Sequence, residues 1–114
     1  MNIKQGEIWW IDPTPKMGSE QRGKRPALIL QNNIANNYLK TTIVAIISSS
    51  GKTMPEMVPV GYLENLSSDS KADFAQIFTI DKTRLINPVG SLKTDDWNLV
   101  EKALGRIFKN TLGL

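Results

Sequence analysis

Apolar positions fall in short runs separated by polar, Gly- and Pro-bearing segments, the pattern of a small β-rich protein. EIWWID (7–12), held between Gly6 and Pro13, predicts a strand. Its adjacent tryptophans must face opposite ways, so one is expected in the core and one half-covered. PALILQ (26–31) predicts a second strand, with Pro26 tolerated at its first position. QNNIANNY then predicts a turn or a short helical excursion. TTIVAII (41–47) is β-branched and nearly continuous, as expected of a strand buried on both faces. MVPVG (57–61) predicts a short strand in which Pro59 marks an edge or a bulge. Residues 64–73 are polar and read as a surface connection. FAQIFTI (74–80) predicts a fifth strand, and unbroken alternation would put Phe74, Gln76 and Phe78 on one face. Asn87-Pro88 reads as a break, leaving Val89–Leu92 for a short strand.

The last element is helical. Thr94 is a suitable N-cap, and Asp95 and Asp96 suit the positive end of the dipole. Trp97, Val100, Leu104, Ile107 and Phe108 repeat at helical spacing, which predicts a helix over 95–109. Short strands with one terminal helix imply a small, curved antiparallel sheet or barrel capped by that helix, in a single domain over residues 1–114. Neither a signal peptide nor a membrane span is expected, since the longest apolar run is Ile43–Ile47.

Composition narrows the chemistry. The chain has neither histidine nor cysteine. Serine triads, Cys-His pairs and histidine or cysteine metal sites are therefore excluded. The net charge of the whole chain, +3, equals that of residues 16–25 alone. That loop, KMGSEQRGKRP with its proline, carries Lys16, Arg22, Lys24 and Arg25 against Glu20. Gly18 and Gly23 allow close backbone approach, and Pro26 biases Arg25 towards an extended conformation. A basic loop running into a strand is either a phosphate-binding surface or a solvated hairpin.

Four stretches together resemble the MazF/PemK toxins, the ribonuclease members of type II toxin–antitoxin pairs. They are GEIWWIDPTP (6–15), GSEQRGKRPALILQNN (18–33), TTIVAIIS (41–48) and QIFTIDKTRL (76–85) followed by the helix. The likeness is weakest at 52–73. It implies an SH3-like small antiparallel β-barrel of the MazF/CcdB kind with a C-terminal α-helix. It also implies a cytoplasmic homodimer that needs no cofactor or metal and binds no membrane. The implied activity is sequence-specific cleavage of single-stranded RNA or mRNA, leaving 2′,3′-cyclic phosphate and 5′-hydroxyl ends. The implied partner is a MazE-like antitoxin with an acidic tail, DNA being reached only through the antitoxin complex.

By the same resemblance, the Arg of the RP step is Arg25, and the hydroxyl residue ending the third strand, commonly Thr, is Ser48 here. Glu20 matches the acid of the GSEQ turn. If the RNA 2′-OH attacks its own phosphate, the missing Cys and His are no obstacle. Arg25 would then stabilise the charged oxygens, Ser48 would add a hydrogen bond, and Glu20 or water would act as base. Lys16, Arg22 and Lys24 would contact phosphates, and Ser19 and Gln76 would read base edges. Phe78 would stack on a base or sit in the core. Two departures stand out: Ala75 replaces a common acid before the Gln, and Phe78 replaces a common basic residue after it. A CcdB-like gyrase-targeting toxin and a catalytically weakened RNA- or antitoxin-binding relative are the alternatives.

Overall fold

The computed structural model describes residues 2–13 and 23–113. Six antiparallel strands form one sheet: β1 (Glu7–Ile11), β2 (Arg25–Ile29), β3 (Thr41–Ser48), β4 (Met57–Pro59), β5 (Lys71–Asp81) and β6 (Leu85–Ser91). Two helices are added, α1 (Asn33–Tyr38) and α2 (Trp97–Ile107). The strand order is β4-β5-β3-β2-β1-β6. The outer strands β4 and β6 are not paired with each other, so the sheet is open, where the resemblance implied a barrel.

Both faces of the sheet are buried. Ile8, Leu28, Ala45, Ile47, Ala72 and Phe74 form one cluster, into which α2 inserts Val100 and Ala103. Trp9, Ile11, Ala27, Ile29, Val44 and Ile46 lie in a second cluster on the other face. The period of two puts alternate residues of β1–β3 into alternate clusters. That is why the central strands read as nearly continuous apolar runs. Each fully buried Ile or Leu contributes roughly 1.5–3 kcal/mol over exposure. Trp9 is buried and Trp10 half-buried, as the doubled tryptophan required.

Four sequence expectations change. First, β5 starts at Lys71 rather than Phe74, because Lys71, Ala72 and Asp73 pair with both β3 and β4. The end of the supposed surface connection is therefore buried strand. Second, β5 does not alternate evenly. Its pairing with β3 jumps from Ala45↔Ile77 to Ile46↔Asp73, so Phe74, Ala75 and Gln76 form a bulge. Phe74 and Ile77 consequently share the α2-covered cluster, while Phe78 packs against the other. Third, β6 runs through Asn87-Pro88, pairing Trp9 with Pro88. An edge strand tolerates the missing N–H.

Fourth, the helix proper begins at Trp97, after a 3₁₀ turn at Thr94–Asp96. Thr94 supplies no side-chain cap; the Asp96 N–H instead donates to the Lys93 carbonyl at 2.9 Å. Such tight-turn bonds satisfy the donors left over at a helix start. Ala103 joins the buried stripe, whereas Phe108 lies past the helical end and is 69% exposed.

Candidate active site

The N-terminal end of β2 and the C-terminal end of β3 lie side by side. β2 and β3 pair through Ala27↔Ile46, Leu28↔Ala45 and Ile29↔Val44. The same register, carried two residues further, sets Arg25 opposite Ser48. Directly opposed residues of antiparallel strands are about 4.5–5.5 Å apart at Cα and share a face. Both residues line one cleft of about 290 Å³, with Trp10, Pro26, Ser50, Asn65, Ser67 and Ser70 among its other walls.

Local sequence explains the arrangement. Gly23 has φ +100°, a conformation that glycine adopts without strain, and it precedes Lys24 and Arg25. Pro26 then holds Arg25 extended at the start of β2, where it pairs with Ile11. β3 ends at Ser48, and the serines that follow turn the chain away. The Ser50 N–H donates to Ser48 Oγ at 3.3 Å, and the two hydroxyls are 3.4 Å apart. Both are long for hydrogen bonds, so the Ser48 hydroxyl keeps most of its capacity. The far wall is the β4–β5 connection. Its shape depends on Gly61: a Cβ there would stand 2.1 Å from the Ser68 carbonyl oxygen. The Val60 N–H donates to the Ser70 carbonyl, which closes the connection at 2.9 Å.

Of the residues expected from sequence, Arg25 and Ser48 meet in this cleft. Lys24 is exposed beside Arg25. Lys16, Ser19, Glu20 and Arg22 lie outside the described residues. Gln76 and Phe78 do not line the cleft. Gln76 is exposed in the β5 bulge, where its Nε2 donates to Asp73 Oδ2 at 2.8 Å. Phe78 is partly buried against the second core cluster.

The sequence reading missed Trp10, Asn65, Ser67 and Ser70 as cleft walls. The run Ser67-Ser68-Asp69-Ser70 was the visible signal, but it looks like any surface loop until β4 and β5 close it. Among the described residues, the two groups with shifted pKa values lie elsewhere. The Thr83 N–H and hydroxyl hold the Asp81 carboxyl below its ordinary range. Burial pushes the Tyr62 hydroxyl up, and its hydrogen bond to Asp96 adds to this. Among the described residues, no group of three or more carboxylate, His or Cys side chains is placed to hold a metal ion. No helix among them is long and apolar enough to cross a membrane.

An arginine and a serine with an under-used hydroxyl, lining one polar cleft, carry the chemistry that suits an anion such as phosphate. The family model of the PemK-like, MazF-like toxin of type II toxin-antitoxin system matches residues 4–108. The endoribonuclease EndoA of Bacillus subtilis (strain 168) is 36% identical over 107 residues, covering 91% of this chain and 92% of the relative. Among solved structures, MazF of Deinococcus radiodurans superposes with a TM-score of 0.77 at 23% identity, covering 100% of this chain and 99% of that one. A MazE-MazF crystal structure from Deinococcus radiodurans gives a TM-score of 0.79 at 23% identity, over 94% of this chain and 96% of the other. The last two establish the fold. The chain belongs to the PemK-like, MazF-like toxin family of type II toxin–antitoxin systems.

Proposed function

We propose that this MazF-like toxin, like its endoribonuclease relative, cuts single-stranded RNA, including mRNA, at short sequence motifs. The observation that carries this reading is the shared cleft of Arg25 and Ser48, assembled from the ends of two paired strands. The RNA 2′-OH attacks the adjacent phosphorus, and the 5′-oxygen of the next nucleotide leaves, taking a proton from water. The products are a 2′,3′-cyclic phosphate and a 5′-hydroxyl. Charge builds on the non-bridging oxygens during attack. Arg25 neutralises it with paired N–H donors, and the Ser48 hydroxyl donates to the same oxygens. Each such donor in a preorganised site stabilises the transition state by about 3–4 kcal/mol.

The chain offers no imidazole for proton transfer. An arginine, with a pKa above 12, is a poor base. Glu20 or a water molecule takes the 2′-OH proton in this reading. Lys16, Arg22 and Lys24 draw the strand in by charge alone, while Ser19 and Gln76 contact base edges. A homodimer in the cytoplasm is the working form. A MazE-like antitoxin with an acidic segment, placed across the basic loop, is its partner and its only route to DNA.

The test is incubation of purified protein with single-stranded RNA in EDTA, followed by mapping of both new ends. Cleavage is expected to persist in EDTA, to leave cyclic phosphate, and to fall by about 10³-fold in Arg25→Ala. RNA left intact at enzyme excess overturns the reading. Glu20→Gln cutting at the wild-type rate removes Glu20 as the base.

A further inference from the structure

β3 continues the Arg25–Ser48 row onto β5, where Ser48 is opposite Lys71. With the β2–β3 register carried on to Arg25, the residues Arg25, Ser48 and Lys71 occupy one row on three successive strands, with Ser48 between two basic residues. Lys71 is 2% exposed, and its Nζ donates to the Gly51 carbonyl at 2.9 Å. An ammonium has three N–H donors, and Gly51 takes one. The carboxylate nearest in register is Asp73, on the next row of the same face. Both of its oxygens are engaged, Oδ1 by the Ala75 N–H at 3.0 Å and Oδ2 by Gln76 Nε2 at 2.8 Å. Among the described residues, no carboxylate forms an ion pair with Lys71. A buried cation without a counter-charge is expensive, and an incoming anion relieves that cost.

Space for one lies alongside. A second cavity of about 390 Å³ is lined by Lys71, Ser49, Gly51, Thr53, Ser68 and Asp69, among others. It shares Ser49 and Ser70 with the Arg25–Ser48 cleft, so the two are contiguous. Asp69 is one of its lining residues, and an acidic residue beside the space disfavours a dianion and suits a singly charged phosphodiester.

We propose that Lys71 and this cavity form a second anion subsite, which binds the phosphodiester next to the one held by Arg25 and Ser48. The proposal rests on the RNA-binding reading of that cleft but not on cleavage itself. The subsite orients the strand across Ser48 and adds one phosphate contact.

The test measures binding of an uncleavable, mixed-sequence 2′-O-methyl oligoribonucleotide as a function of NaCl. Wild type is compared with Lys71→Met, which keeps the apolar stem, and Lys71→Arg, which keeps the charge. Loss of one single-strand phosphate contact lowers the slope of log K against log salt by about 0.7, or about fivefold in affinity at 0.1 M. Lys71→Met is expected to show that loss and Lys71→Arg to retain most of the slope. An unchanged slope and affinity in folded Lys71→Met overturns the subsite. Should Lys71→Met not fold, inorganic phosphate is titrated into the wild-type protein with the Gly51 and Ser70 amide resonances observed. Saturable shifts support the subsite, and their absence overturns it. A wild type that binds this oligonucleotide but cuts no RNA defeats the cleavage reading alone.

Discussion

The two ends of β3 hold polar groups in opposite states. At the Thr41 end, Thr42 and Asn36 are both buried. The Asn36 Oδ1 accepts from Thr42 Oγ1 at 2.8 Å and from Gln31 Nε2 at 2.9 Å, and its Nδ2 donates to the Gln31 carbonyl at 2.8 Å. Lys82 Nζ donates to the Asn36 carbonyl. The Asn36 amide and the Thr42 hydroxyl are spent inside the protein, and the knot ties α1 to the sheet. At the other end, Ser48 has only long bonds, and Lys71 uses one of its three donors. Equal polarity thus takes two forms: saturated groups hold the fold, and groups with spare capacity are free to bond a ligand.

This contrast can be broken in four ways, from large effect to small. Arg25→Ala removes the charge at the open end. Single-turnover cleavage is expected to fall by about 10³-fold. The unfolding free energy should change by less than about 0.5 kcal/mol, as for a surface substitution. A comparable loss of stability would assign Arg25 to the fold instead. Ser48→Ala is expected to slow cleavage by about 10²-fold, and Ser48→Thr, which keeps the hydroxyl, to restore most of it.

Asn36→Leu strikes the closed end and strands its partners. Urea denaturation is expected to show a loss of about 2–3 kcal/mol, while protein still folded cleaves at the wild-type rate. A drop in the rate per folded molecule would contradict the division between the two ends. The smallest effect concerns Asp81, opposite Thr41 and fully exposed. Its carboxyl sits below its ordinary 3.8 because Thr83 donates to it. Its contribution is therefore present above the unfolded value and lost as pH falls through the native one. Asp81→Asn should lower stability slightly at neutral pH, match the wild type at the acid end, and so flatten the acid limb of the stability curve.

The central architecture was legible because its residues carry their own signals. The doubled tryptophan, PALI after a basic loop and the β-branched TTIVAII each imply a strand without tertiary context. The features that escaped reading depend on pairing. Lys71 and Asp73 are strand residues only because β3 and β4 flank them, and their own composition suggests a loop. The bulge at Phe74–Gln76 is invisible to an alternation rule, which assumes an unbroken pleat. Pro88 stops a strand by propensity but not at a sheet edge. For the site, the RP step and the strand-terminal hydroxyl were readable separately. Their meeting follows from the β2–β3 register, and no local spacing encodes it.

The proline in each outer strand, Pro59 in β4 and Pro88 in β6, has a consequence for life at high concentration. An open sheet presents two unpaired rims, each a template for runaway self-association. A proline leaves a gap in the row of donors and makes each rim a poor place for another chain to add a strand. Such end-stops direct encounters with other molecules to faces and clefts, where side chains choose the partner. They also guard the half-folded chain, whose rims are exposed first, against assembling into fibres before the core has closed.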